Sequence, residues 1–163
     1  QISAMIPAYN KAGGQVLNGL VSRRAAEQEL FNKAVDSSEI NPTNVGEVQI
    51  WLNRTFHSGL TIDGLYGSNT KKALVKGLQQ TLGLKADGIY GAKTHAAVKT
   101  LKNGSSGTLV KILQCFLICR KQKITADGEF GEQTDLAVRI VQKSYKIDND
   151  GIAGKMTFRA LCS

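Results

Sequence analysis

Apolar residues recur at the spacing of an α-helix in several short stretches of the chain. Leu109, Ile112, Leu113 and Phe116 stand at i, i+3, i+4 and i+7, which lays one apolar stripe along a helix that begins near Gly107. Further helical stretches are predicted at GEVQIWLNRTF, KKALVKGLQQTLGL, HAAVKTL, DLAVRIVQKSYKI and FRAL. The pattern therefore predicts an all-α fold built from short helices.

A phrase of the form Asp-Gly-x-x-Gly-x-x-Thr separates these helices and occurs four times. Its copies are DGLYGSNT, DGIYGAKT, DGEFGEQT and DGIAGKMT, which begin at Asp63, Asp87, Asp127 and Asp150. The gaps between these aspartates are 24, 40 and 23 residues, so the phrases form two pairs. The sequence predicts a unit of about 60 residues that is used twice. Each unit has the order helix, turn, helix, turn, helix.

The predicted organisation has three parts. Residues 1–44 are a helical segment with a linker, residues 45–103 are the first three-helix module, and residues 104–163 are the second. The boundary between the modules falls at KNGSSG, residues 102–107, because Gly and Ser in this density are typical of a linker.

The residue types of the phrase are those of a turn. Asp accepts hydrogen bonds from amides two or three residues later, and Gly takes a positive φ without steric cost. We therefore expect the phrase to shape corners, with its Ser or Thr side chains capping the next helix. One of two sets of side chains should turn toward the core. These are Leu65, Ile89 and Ile152, or Tyr66, Tyr90 and Phe130.

Calcium is the alternative that paired Asp-Gly phrases suggest. The run DNDG at 148–151 starts like an EF-hand loop, but loop position 12, which needs a carboxylate, is Arg159. The other three copies have no acid at the two alternate positions upstream. His57 and His95 have no metal-ligand spacing and no partner that would indicate nucleophilic catalysis. The sequence predicts no metal site, no cofactor and no catalytic residue.

Composition limits the class of protein. The chain has 163 residues with 42% hydrophobic residues and two Pro, which favours an ordered globular protein, and no apolar run is long enough to span a membrane. Cys115, Cys119 and Cys162 are too few and odd in number for a disulfide framework, so they favour synthesis in a reducing cytosol. Cys115 and Cys119 are expected to be small buried side chains on one helix face. The start, QISAMIPAYN, resembles no signal peptide and suggests an internal fragment.

The positive charge lies in the repeated part. Residues 1–44 carry four bases and four acids, residues 45–103 eight and three, and residues 104–163 nine and six, so the net charge of +8 arises from the last two parts. Such a surface favours polyanions, whether nucleic acid, acidic lipid or an anionic cell wall. The sign of the charge does not choose among them.

The order of residues in the repeat resembles the three-helix peptidoglycan-binding domain family. The pattern is Gly-x-x-Val-x-x-Leu-Gln, then Asp-Gly-x-Phe-Gly-x-x-Thr-x-x-Ala-Val, then Gln, and then a second Asp-Gly phrase. It is carried by Gly107, Val110, Leu113, Gln114, Asp127, Phe130, Thr134, Ala137, Val138, Gln142 and Asp150. In the first copy Asn53 stands where Gln114 stands, and the loop that follows is three residues shorter. The resemblance covers residues 45–162.

A second resemblance concerns AGGQVLNGLVSRRAAEQELF, residues 12–31, which is similar to the C-terminal end of phage-type lysozymes (glycoside hydrolase family 24). The matching residues are Gly19, Leu20, Arg23, Arg24, Glu27, Leu30 and Phe31. The combination implies the wall-binding region of a phage endolysin behind a muramidase, made in the host cytoplasm and acting at the bacterial wall. The family's catalytic Glu lies further upstream. Glu27 and Asp36 are nine residues apart as the family's acids are, but Glu27 is expected to pair with Arg23, so we expect this chain to bind and not to cut.

The resemblance implies peptidoglycan as partner, with anionic wall polymers as a second possibility. Sugar faces, N-acetyl groups and carboxylates call for aromatic, amide and cationic side chains. The aromatic candidates are Trp51, Tyr66, Tyr90, Phe130 and Tyr145. The amide candidates are Asn53, Gln79, Gln114 and Gln142, and the cationic candidates are Lys71, Lys72, Lys76 and Lys93. The alternative function is a basic helical protein that binds nucleic acid, which the sequence pI of about 9.5 favours. Self-association is left open.

Overall fold

The structure, a computed structural model, describes residues 40–163, and these residues contain six α-helices and no β-strand. The helices are α1 (Val45–Phe56), α2 (Ser68–Thr81), α3 (Ala92–Ala97), α4 (Thr108–Cys119), α5 (Glu132–Ser144) and α6 (Lys155–Cys162). The predicted all-α fold is confirmed for this part of the chain. The predicted helix in residues 12–31 lies outside the described residues. None of the six helices combines the length and the hydrophobicity that a bilayer span needs.

Helix α4 lies at the centre of the fold. Every residue from Val110 to Cys119 is buried, and the helix contacts α1, α2, α5 and α6. A helix that is apolar on nearly all sides must be covered on all sides, which explains its central position. Its largest side chain, Phe116, is completely buried.

The cysteines on α4 are buried as the sequence predicted. Cys115 and Cys119 are free thiols that are closed off from solvent. Burial raises the pKa of the Cys115 thiol, and it raises the pKa of Cys119 to about 12. Both side chains therefore act as small apolar residues of the core and not as reactive thiolates.

The two predicted copies pack on each other. We call residues 40–103 the first half and residues 104–163 the second half. Helices α1 and α2 pack on α4, and α3 packs on α6. The backbones of Leu101 and Ala153 exchange two hydrogen bonds of 3.0 and 2.8 Å, and the amide of Ala126 donates to the carbonyl of Pro42 at 2.7 Å. Residues 40–163 thus form one compact unit. The boundary between residues 103 and 104 stays a prediction.

A cation also links the two halves. The guanidinium carbon of Arg120, at the end of α4, lies 5.7 Å from the ring centroids of both Tyr66 and Tyr145. Arg120 also donates to the carbonyls of Leu161 and Ser163. Burial raises the pKa of Tyr66 to about 12, so this ring stays neutral beside the cation. The Arg120 contact therefore joins the first Asp-Gly turn to the ends of α5 and α6.

The Gly/Ser segment at 102–107 is folded onto the second half. The amide of Gly104 donates to the carbonyl of Phe130 at 2.9 Å, and the amide of Phe130 donates to Ser105 at 2.8 Å. The amide of Gly107 donates to Gly128 at 2.8 Å. The segment predicted as a linker is therefore held by hydrogen bonds against the third Asp-Gly turn.

The expected helix caps are absent. Helices α2, α3, α5 and α6 begin after Gly67, Gly91, Gly131 and Gly154, and no side chain caps any of these four helices. The prediction that the Ser or Thr of the phrase caps the next helix was wrong. The Thr hydroxyls instead bond to a glutamine amide, as described below.

The side chains that follow each Asp-Gly pair sort into the second of the two expected sets. Phe130 is buried, and Tyr66 and Tyr90 are half-buried. Leu65, Ile89 and Ile152 are exposed. In the first three turns this inward position holds an aromatic residue, and in the fourth it holds the buried Ala153. The preceding residue points its side chain to solvent while its carbonyl accepts from the glutamine.

Candidate functional site

A buried glutamine holds each Asp-Gly turn. The side-chain amide of Gln114 donates from Nε2 to Oδ1 of Asp127 at 2.8 Å, to the carbonyl of Glu129 at 2.9 Å and to Oγ1 of Thr134 at 3.0 Å. Its Oε1 accepts from the amide of Gly128 at 2.8 Å. Both ends of the amide are thus used, as a buried polar group requires. We call this arrangement the glutamine turn.

The same arrangement occurs four times among the described residues. In every copy Nε2 reaches the Asp carboxylate, the carbonyl two residues later and the Thr hydroxyl, with distances from 2.7 to 3.1 Å. The other three copies are Gln49 with Asp63, Leu65 and Thr70, Gln79 with Asp87, Ile89 and Thr94, and Gln142 with Asp150, Ile152 and Thr157. The repeated phrase therefore shapes corners by bonding to the preceding helix.

The first glutamine turn corrects the register proposed from the sequence. Gln49, and not Asn53, occupies the place of Gln114, since it bonds to Asp63 as Gln114 bonds to Asp127. The spacing is 14 residues in the first copy and 13 in the second, so the first loop is one residue longer and not three shorter. The expectation that Asn53 stands in the place of Gln114 was wrong, because Gly46 does not correspond to Gly107.

The carboxylates of the four aspartates are hydrogen-bonded within the turns. In each, Oδ1 also accepts from the backbone amide two residues later at 2.9 Å. The hydrogen bond from Gln49 lowers the pKa of Asp63, and the backbone amides of Ile89 and Ile152 lower the pKa of Asp87 and Asp150. Among residues 40–163 no group of three or more His, Cys, Asp or Glu side chains could hold a metal ion.

Glycine at the second position of the phrase is required by the backbone. Gly64, Gly88, Gly128 and Gly151 have φ between 70° and 83°, a region that side chains resist. At Gly88 the space is also filled, because a Cβ there would lie 2.5 Å from Cγ of Lys72. The stem of Lys72 therefore crosses the second Asp-Gly turn.

The aromatic candidates lie in three different places. Trp51 and Phe130 belong to the core, with 3% and 2% of their surface exposed. Tyr66 and Tyr145 flank Arg120. Tyr90 donates its hydroxyl to the carbonyl of Lys155 at 3.2 Å. The structure does not bring the five rings together as one platform.

The amide candidates are used within the protein. Gln79, Gln114 and Gln142 are buried in glutamine turns. Asn53 pins a loop, since its Nδ2 donates to the carbonyl of Leu60 at 2.8 Å and its Oδ1 accepts from the Leu60 amide at 2.7 Å. These four side chains build the scaffold that carries the surface described next.

A groove of about 690 Å³ lies between this pinned loop and the outer face of α2. We call it the first-half groove. Its lining is mainly polar and includes Ser58, Thr61, Ser68, Asn69, Lys72, Lys76 and Gln80. The hydroxyl of Ser58 donates to the carbonyl of Leu52 at 3.2 Å, which together with the Asn53 contacts fixes the loop. The groove is therefore preformed.

The cations of the first-half groove lie on one side. Lys72 and Lys76 are exposed, stand one helical turn apart on α2 and both line the groove. The acid in the lining, Asp63, has its carboxylate engaged by Gln49 and by the Leu65 amide. Lys71 and Lys93 do not line the groove. The arrangement offers hydroxyl and amide groups beside two ammonium groups.

Sequence reasoning identified Lys72 and Lys76 but missed most of this groove. Ser58, Thr61, Ser68, Asn69 and Gln80 carry no motif and are ordinary surface residues in the sequence. The available signal was Gln49, which stands 14 residues before Asp63. Its bonds to Asp63 and Thr70 fix where the first Asp-Gly turn joins α2.

The fold is a helical unit held by four glutamine turns, with a polar groove on one face. Residues 41–162 match the family model described as FadG/YbfG, PGDB-like domain. The chain therefore belongs to this family of peptidoglycan-binding-like domains.

Similar proteins come from phages and from a bacterium. The endolysin of Lactococcus phage c2 is 53% identical over 51 residues, which are 31% of this chain and 23% of that protein. The endolysin of Bacillus phage PZA is 44% identical over 46 residues, 28% of this chain and 18% of that protein. The uncharacterised protein YbfG of Bacillus subtilis is 29% identical over 169 residues, 97% of this chain and 23% of that protein.

The chain spans less than a quarter of the length of these relatives. Each endolysin match covers less than a third of this chain, whereas the YbfG match covers 97% of it. No solved structure matches the chain.

Proposed function

We propose that this chain binds peptidoglycan and holds a parent muramidase at the bacterial wall. The observation that carries the proposal is the first-half groove, a preformed polar groove with two cations in a chain of the PGDB-like family. The similarity to two phage endolysins supports an endolysin-like role. The protein would be made in the host cytoplasm and would act on the wall during lysis.

The chemistry of the first-half groove suits a glycan strand that carries peptides. Side-chain hydroxyls and amides, such as those of Ser58, Asn69 and Gln80, can bond to sugar hydroxyls and N-acetyl groups. Lys72 and Lys76 can pair with peptide carboxylates. Because the loop is fixed before binding, little conformational entropy is lost when the ligand enters.

The sequence-based candidates contribute unequally to this proposal. We assign ligand contact to Lys72 and Lys76 in the first-half groove. Tyr145 is 37% exposed and stays a candidate for a stacking contact outside this groove. The buried Trp51, Phe130 and the glutamine-turn amides act through the scaffold, because none of them presents a free surface to a polymer.

The muramidase part of the proposal rests on residues 12–31. Their similarity to the end of phage-type lysozymes suggests that the binding region follows a wall-cutting domain. Within this chain we propose no catalytic residue. Zymography on peptidoglycan with the 163-residue chain tests this point, and a cleared zone would contradict it.

Co-sedimentation with purified sacculi at physiological salt tests the binding proposal. The intact chain should sediment with sacculi, and the variant Lys72→Ala/Lys76→Ala should bind roughly tenfold more weakly, which corresponds to about 1.4 kcal/mol. The charge-matched control Lys99→Ala/Lys102→Ala removes two exposed lysines outside the groove and should bind like the intact chain.

The nucleic-acid alternative is tested in the same series. A chain that ignores sacculi but is retained on DNA at the same salt would contradict the proposed function. A chain whose binding falls equally in both double variants would also contradict it, because attraction would then depend on net charge alone.

A further inference from the structure

A second groove lies where the two halves meet. It has a volume of about 520 Å³ and is lined from both halves. The first half contributes Asn44 and Gly64, and the second contributes Lys121, Lys123, Thr125 and Gln133. We call it the seam groove. It exists only because the start of α1 and the first Asp-Gly turn pack beside the end of α4.

The lining of the seam groove is cationic, and the carboxylate of Glu47 is engaged by the amide and hydroxyl of the lining residue Thr43. The lining contains two lysines and no Asp or Glu. Both lysines are exposed, and neither side chain has an ion-pair or hydrogen-bond partner among residues 40–163. The remaining lining is apolar at Val45, Ile118 and Ile124. Asn44, Gln133 and Thr125 supply amide and hydroxyl groups beside the lysines. These are the groups that bind carboxylate or phosphate oxygens.

The segment that carries the two lysines is fixed by the core. Burial alternates along it, with Lys123 and Thr125 exposed and Ile124 and Ala126 buried. The amide of Ala126 donates to Pro42 at 2.7 Å, and the amide of Gln122 donates to the carbonyl of Leu117 at 3.0 Å. The exposed side chains are therefore held on one side of an anchored segment, so the groove is preorganised.

We propose that the seam groove binds an anionic group of the bacterial wall, a carboxylate or a phosphate. This inference rests on the proposed function for the source of the ligand, but it concerns a different site from the first-half groove. Two wall components carry such groups: the carboxylates of peptidoglycan stem peptides and the phosphodiesters of wall polymers. A ligand in both grooves would engage the polymer at two points and gain avidity.

The backbone at Lys121 allows a sharp variant. Lys121 has φ of 65° and follows α4, as Gly83, with φ of 72°, follows α2. A lysine in this region is strained relative to glycine, so Lys121→Gly removes the charge without weakening the fold. Lys146, with φ of 56° after α5, offers the matched control because it lies outside the seam groove.

The experiment is an NMR titration of the full chain with two soluble probes. One probe is a muropeptide, which carries carboxylates and no phosphate, and the other is a glycerol phosphate oligomer, which carries phosphate and no carboxylate. At least one probe should shift the backbone amides of residues 121–125 and Gly64 in a saturable way. The probe that does so identifies the source of the anion.

Two double variants decide whether the groove or the net charge is responsible for binding the probe. Lys121→Gly/Lys123→Ala should bind the active probe roughly tenfold more weakly, and the control Lys146→Gly/Lys143→Ala should bind it like the intact chain. Absence of shifts with both probes, or an equal loss in the control, would overturn the inference.

Failure of this inference is distinguishable from failure of the proposed function. If sacculi binding persists but the seam amides do not respond, only the seam groove is rejected. If the intact chain ignores sacculi, the proposed function is rejected, and the probe titration still decides whether the seam groove takes an anion.

Discussion

The second helix of each half presents a different outer face. In the first half this helix is α2, and it exposes Lys72 and Lys76 beside the first-half groove. In the second half it is α5, and it exposes Leu136 and Ile140, each with 55% of its surface accessible. Both pairs are spaced four residues apart and begin two residues after the Thr of the glutamine turn.

The interior of the two halves does not differ in this way. The hydroxyl oxygens of Thr70 and Thr134 each accept a hydrogen bond from Nε2 of a buried glutamine, at 3.0 Å in both cases. The glutamine turn thus fixes how the second helix leaves the corner, and the Gln and Thr that it uses are buried. The outward positions are free to vary, so two copies of one scaffold can carry different surfaces.

The largest expected effect is on the scaffold, and it should be the same in both halves. Gln79→Ala and Gln142→Ala each leave an Asp, a Thr and a carbonyl without their buried partner, so each should lower the free energy of unfolding by about 2–4 kcal/mol. Urea unfolding monitored by circular dichroism measures this change.

The neighbouring residue supplies the control for that measurement. Gln80 is exposed on the same helix as Gln79, so Gln80→Ala should change the free energy of unfolding by less than about 0.5 kcal/mol. Equal effects of Gln79→Ala and Gln80→Ala would contradict the role of the glutamine turn.

Exchanging the outer faces should change binding and leave the fold intact. The variant Lys72→Leu/Lys76→Ile gives α2 the residues of α5 and should weaken binding to sacculi roughly tenfold, or about 1.4 kcal/mol. The converse variant, Leu136→Lys/Ile140→Lys, adds two charges without the pinned loop and should strengthen binding by less than about threefold. Sedimentation isotherms measure both changes in affinity. A gain of roughly tenfold from the converse variant would show that positive charge is sufficient without the groove.

The smallest effect is expected on folding stability as the pH is lowered, and it should involve both halves. The pKa values of Asp63, Asp87 and Asp150 are lowered in the folded chain, so the unfolded chain binds protons more readily. Their stabilising contribution is complete above the usual Asp pKa of roughly 3.9 and is lost as the pH falls through the lowered values. Urea midpoints measured between neutral pH and about pH 2 should decline below about pH 4. A midpoint that rises on acidification would contradict this assignment.

The sequence was sufficient to predict the all-α fold because the repeated phrase and the helical spacing of apolar residues agree. It did not predict the partner of the phrase, since a buried glutamine resembles any other glutamine until its carboxylate partner is placed beside it. Pairing Gly46 with Gly107 places Asn53 opposite Gln114. The residue that makes the equivalent bonds is Gln49, four residues earlier.

The candidate site was predictable only in part. Lysines at helical spacing indicate an exposed face, so Lys72 and Lys76 could be identified. Aromatic residues were a poorer guide, because Trp51 and Phe130 lie in the core and the turn aromatics face inward. The groove itself depends on the loop at residues 57–61, whose shape is set by contacts from Asn53 and not by a local motif.

The most direct test of the difference between the halves is to map a soluble peptidoglycan fragment on the full chain by backbone amide shifts. Saturable shifts are predicted at residues 57–61 and 68–80, and none on the outer face of α5 around Leu136 and Ile140. Shifts on that face of α5 with none in the first-half groove would contradict the account.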